Sequence, residues 1–188
     1  MRTVYYVHFG PLAEYRRESM ERTRALLPQS RIVLIDDSNY REPLAALCRW
    51  MGWPEVPLRF DPTHPKGRVL LGDWLRLWFA STDPEAVTLC SDCYLLRPVD
   101  GHAHAGAKRD ICVTVTGGNC EAFAAALHHD KGAQPRMLLH ALRGITAMVP
   151  LVRDVDYYHH YDHGTPDEHW QKQWFYRNEY TYTKGGCA

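Results

Sequence analysis

The chain's 188 residues are enough for one domain with a full hydrophobic core, and a composition of 45% hydrophobic and 23% charged residues excludes wholesale disorder. Lys and Arg number 22, the same as Asp and Glu, which argues against a protein that neutralises a nucleic-acid backbone. No run approaches the roughly 18 apolar residues of a spanning helix, and no export signal is visible at the N-terminus, so the expectation is a cytoplasmic protein with no membrane span and six reduced cysteines.

Residues 3–9 are β-branched and aromatic and stop at Gly10-Pro11, the pattern of a strand and turn. Residues 14–27 carry Tyr15, Met20, Leu26 and Leu27 among charges, an amphipathic helix ended by Pro28. Residues 31–35 form a second strand, followed by the loop Asp36-Asp37-Ser38-Asn39. Strand, helix, strand is the opening of a parallel sheet. Residues 44–50 are expected to be a short helix, and 54–66, with four prolines, an irregular connection. A buried helix follows over 70–80, then a strand, or a kinked strand, over 86–99. Residues 100–108 read as a loop and 111–116 as a strand. Helices are expected over 122–129 and 135–142, and a last strand over 146–152. The tail over 154–182 is polar, aromatic and without a clean period, so loops and short turns are expected there. The whole, residues 1–188, is expected to be one α/β domain with the His- and aromatic-rich segment 154–188 packed on it.

Two features carry chemistry. Asp73 and Arg76 are three apart, on one face of an otherwise apolar helix. A buried charge is costly without a partner, so these two are either an ion pair within a core helix or part of a ligand site. The strand over 86–99 runs apolar, reaches Ser91-Asp92, then returns to Tyr94-Leu95-Leu96 and breaks at Pro98. That puts one carboxylate in a buried strand, and open α/β sheets bind ligands at strand ends where the chain order switches.

These segments resemble the sugar transferases of the GT-A fold with a DXD motif, a group that includes capsular-polysaccharide and mannosyl transferases and glucosylating bacterial toxins. Asp73 and Arg76 match that family's Asp-x-x-Arg helix, and residues 88–100 match its motif strand without a gap. Cys90 stands where the family has the first Asp of the motif, and Asp92 is the second. The resemblance implies a mixed, mainly parallel sheet flanked by helices. It implies a nucleotide-diphospho-sugar donor bound by Asp73, Arg76 and Asp92, and a Mn²⁺ or Mg²⁺ ion on Asp92. Such an ion neutralises charge developing on the leaving diphosphate. Related transferases also end in a segment where His precedes Trp and closes over the donor. His159, His160 and Trp170 resemble that segment, which makes the tail a candidate lid. His160 and His163 are the candidates to complete a metal shell.

Two other readings stay open. The missing first Asp fits a nucleotide- or glycan-binding protein of the same fold without catalysis. The cluster from His159 to His169 fits a His/Asp metal-dependent hydrolase.

Overall fold

The structure, a computed structural model, describes residues 1–106, 113–129, 149–152 and 155–159. It opens with β1 (Thr3–Val7), α1 (Glu14–Leu26) and β2 (Arg31–Ile35). β1 pairs with β2 in parallel, Thr3 opposite Arg31 and Val7 opposite Ile35. α2 (Arg41–Met51), a 3₁₀ turn (Leu58–Phe60) and α3 (Pro65–Thr82) lead to β3 (Ala86–Cys90). β3 returns to the other edge of β1, again parallel, with Val7 opposite Cys90. After a turn at Ser91-Asp92 come β4 (Cys93–Leu95), β5 (His104–Gly106), β6 (Val113–Val115), α4 (Cys120–His129), β7 (Val149–Pro150) and β8 (Tyr157–His159). The main sheet runs β2-β1-β3-β6-β5-β7, and β4 pairs with β8 in a separate two-stranded sheet. β6 is antiparallel to both β3 and β5, while β7 is parallel to β5. The architecture is therefore α/β, with a mixed, mostly parallel sheet flanked by helices. Among the described residues no helix is long and apolar enough to cross a membrane.

Side chains alternate across β1, so each face of the sheet has its own core. Tyr5 and Val7 face α2, α3 and α4, where Leu47, Leu71, Trp74, Leu75, Phe123 and Leu127 are buried. The Tyr5 ring stacks on Phe79 of α3 with centroids 4.1 Å apart. Val4 and Tyr6 face α1, together with Val87, Leu89, Cys93 and Leu95. The buried stripe of α1 is Tyr15, Ser19 and Thr23. Two of these are small hydroxyl residues, and burial suits them because each hydroxyl has a partner. Tyr6 Oη lies 2.6 Å from Thr23 Oγ1, and Ser19 Oγ donates to the Cys93 carbonyl.

Several expectations change. The strand over 86–99 is two strands, because the chain turns at Ser91-Asp92 and β4 leaves the main sheet for β8. The loop over 100–108 contains β5, which joins the sheet through β6 and β7. The tail contains a strand, β8, with Cys93 opposite His159 and Leu95 opposite Tyr157. Of the strand expected over 146–152, the described residues show β7, Val149–Pro150. α3 begins at Pro65, inside the stretch expected to be irregular, because proline suits the first helical turn, where its missing N–H has no helical acceptor. The helix expected over 135–142 lies outside the described residues.

Candidate functional site at the β1–β3 switch point

The chain leaves β1 toward β2 on one side and comes back through α2 and α3 to place β3 on the other. The carboxyl ends of β1 and β3 are therefore neighbours at the point where the strand order reverses, and both lead onto the Tyr6 face, into α1 and β4. His8, Phe9 and Gly10 follow β1, Asp36 and Asp37 follow β2, and Ser91 and Asp92 follow β3.

Asp92 is held by the first turn of α1. Its Oδ1 accepts hydrogen bonds from Arg16 Nη2 at 2.7 Å, Arg16 Nε at 3.0 Å and Tyr15 Oη at 3.2 Å. The Arg16 guanidinium also lies over the Tyr15 ring, 4.9 Å from its centroid. The Arg16 and Asp92 side chains remain 20% and 25% exposed, so solvent reaches the pair. The positive end of the α1 dipole adds positive potential at the same place. Below this turn, α1 is fastened along β4. Tyr94 Oη donates to the Tyr15 carbonyl at 2.9 Å, and Arg22 Nε donates to the Leu95 carbonyl at 2.8 Å.

His8 joins the two strand ends. Its Nδ1 is 3.2 Å from Ser91 Oγ and its Nε2 is 3.1 Å from the Pro11 carbonyl. A carbonyl only accepts, so Nε2 carries the proton. Burial, and then the nearby Arg16 charge, hold the imidazole pKa below its ordinary 6.5. The ring is therefore neutral at pH 7, and Nδ1 accepts from the Ser91 hydroxyl. The sign of the resulting pH dependence is fixed. As pH falls below 6.5 the unfolded chain takes up the proton first, so stability drops toward the folded pKa and is level below it. Thermal melts of wild type and His8→Gln between pH 7.5 and 5, bounds set about the His titration range, should show this acid-side loss in wild type and a weaker one in the variant. Parallel profiles would remove His8 as its source.

The β1–α1 loop is set by Gly10, whose φ of +92° suits glycine. A Cβ there would lie 3.2 Å from Arg68 Nη1. Gly10 N–H donates to Asp37, and Arg68 Nε donates to the Pro62 carbonyl. Asp36 closes its own turn instead, accepting from Ser38 N–H at 2.9 Å and from the Ser38 hydroxyl. Beside this loop is a mostly apolar cavity of about 350 Å³, lined in part by Tyr40, Arg41, Pro57, Phe60 and Asp61. Tyr40 meets Phe9 edge to face at 5.4 Å, which ties the cavity to the end of β1.

Asp73 and Arg76 are both 4% exposed, and Arg76 Nη2 donates to Asp73 Oδ1. Their helix, α3, packs on the Tyr5 face of the sheet, whereas Arg16 and Tyr15, which hold Asp92, belong to α1 on the Tyr6 face. Asp92 is thus engaged by Arg16, a residue that no motif in the sequence marks. A signal was present: Arg16 and Arg17 sit in the first turn of a helix, where positive charge opposes the helix dipole unless a carboxylate is close. The backbone of His159 is opposite Cys93, next to Asp92. His160, His163 and Trp170 lie outside the described residues.

The Asp92 oxygen that Arg16 holds, Oδ1, fits a divalent ion poorly. An ion on Asp92 Oδ1 would share that oxygen with a guanidinium at hydrogen-bond distance, and the two cations repel. Among the described residues no group of three His, Cys, Asp or Glu side chains is arranged to hold a metal. No protein-family model matches the chain, and no curated protein sequence matches it either.

Proposed function

We propose that this chain is a glycosyltransferase of the GT-A type, taking a nucleotide-diphospho-sugar at the carboxyl ends of β1 and β3 and passing the sugar to an acceptor. The observation that carries the reading is Asp92 at the carboxyl end of β3, beside the N-terminus of α1 and bridged by Arg16. A departing nucleoside diphosphate needs its charge neutralised, and positive groups fixed beforehand do this without reorganising. Arg16 and the start of α1 supply them on one side of the β1 loop, and Arg68 stands at Gly10 on the other. The cavity beside Tyr40 has room for a nucleoside. In this reading Asp73 and Arg76 hold the donor sugar from α3, as the resemblance implies. The order β2-β1-β3 in parallel, followed by an antiparallel β6, is compatible with the GT-A arrangement.

A second reading is favoured by Cys90. With a thiol in place of the first motif carboxylate, the protein binds a nucleotide or glycan without turning it over. Incubation with a panel of UDP-, GDP- and CDP-sugars, with nucleoside diphosphate release followed by chromatography, tests both. The transferase reading expects release from one donor, faster when an acceptor glycan is present. Binding without release supports the second reading, and a panel with neither binding nor release contradicts both.

A further inference from the structure

We infer that the Arg16 guanidinium, oriented by Asp92, takes the place of a divalent metal as the diphosphate-binding cation of this site. The inference rests on the donor reading above and deepens it. Arg16 Nε and Nη2 both donate to Asp92 Oδ1, and the Tyr15 hydroxyl donates to the same oxygen. A guanidinium has five N–H donors in a rigid plane, so this grip fixes its orientation and leaves the remaining donors for a second anion. The side chain keeps 20% of its surface exposed, beside the end of β3.

The neighbours agree with this role. His8 is neutral near pH 7, so it does not compete for the carboxylate as a cation. Ser91 Oγ and His8 Nδ1 are engaged with each other, and His8 Nε2 donates to Pro11. Asp37 is drawn onto the Gly10 N–H, which keeps that carboxylate at the loop backbone. The absence of a carboxylate at Cys90 has the same sense. A metal site gains from a second hard oxygen ligand, while a site built on a guanidinium needs one carboxylate as its anchor, and two would draw the arginine away from the substrate.

The experiment is titration calorimetry of the full chain with UDP and with GDP, each in EDTA and in MnCl₂. It is run on wild type, Arg16→Gln and Arg16→Lys. Wild type is expected to bind one of the nucleotides in EDTA with an affinity within about threefold of that in Mn²⁺. Arg16→Gln is expected to lose about tenfold or more, the loss of charge-assisted hydrogen bonds to phosphate. Arg16→Lys is expected to fall between, because it keeps a point charge without the planar fork. Binding that requires Mn²⁺ overturns the inference and leaves the donor reading standing. Undiminished binding by Arg16→Gln does the same. Binding of neither nucleotide in either condition overturns both. If Arg16→Gln does not fold, the comparison of EDTA with Mn²⁺ in wild type still decides.

Discussion

Arg76→Ala is expected to destabilise the protein by about 3–5 kcal/mol, the range for breaking a buried ion pair from one side. Asp73 is 4% exposed and accepts from Arg76 Nη2, so truncating the arginine takes a charged partner away from a buried carboxylate. The double replacement Asp73→Leu/Arg76→Met removes both charges and keeps similar volumes. It is expected to be close to wild type in stability, since a buried pair often contributes little over apolar residues of the same size. Urea unfolding of the three proteins measures this. The same double variant separates structure from function. If Asp73 and Arg76 hold the donor sugar, it folds but no longer distinguishes a nucleotide sugar from the bare nucleoside diphosphate. A double variant that binds the sugar nucleotide as wild type does would leave the pair as a core ion pair alone.

Trp74→Ala is expected to cost a similar amount, about 3–5 kcal/mol, through lost burial and the cavity left behind. Trp74 is 1% exposed and is the largest of the fully buried side chains among the described residues. Its ring lies 5.3 Å from Trp53 and 5.6 Å from Phe60, and the Arg59 guanidinium sits over it at 5.5 Å. These contacts fasten the proline-rich connection between α2 and α3 onto the core. Phe60 also lines the cavity beside Tyr40, so loosening this cluster reshapes that cavity. The variant should therefore lose nucleotide affinity as well as stability when assayed below its melting temperature. Chemical denaturation gives the first effect and calorimetry the second. A stability loss under about 1 kcal/mol, the level of an ordinary surface change, would mean that the aromatic cluster is not part of the cooperative core.

The parts of the fold visible in the sequence are those set by local pattern. β1, α1 and β2 follow from alternation, helical period and the breakers Gly10, Pro11 and Pro28. The parts hidden depend on distant partners. β5 is His104-Ala105-Gly106, with no β-branched residue, and it is a strand because β6 and β7 supply its hydrogen bonds. β8 is Tyr157-Tyr158-His159, and its pairing with β4 crosses some sixty residues of sequence. Asp92 stood out because a carboxylate interrupts an apolar strand. Arg16 did not, because the two are 76 positions apart and only the fold brings them together. The buried Ser19 and Thr23 were likewise invisible to a hydrophobic pattern, since what permits their burial is the Tyr6 hydroxyl and the Cys93 carbonyl on the facing strands.

The transferase reading places a nucleoside diphosphate at the carboxyl ends of β1 and β3. Hydrogen–deuterium exchange of the full chain, with and without saturating UDP or GDP, tests it most directly by locating the ligand on the sequence. Slower exchange is expected in peptides covering 8–16 and 90–95, the β1–α1 loop and the turn that carries Asp92. Unchanged exchange in both segments at saturation, with protection appearing elsewhere, would contradict it.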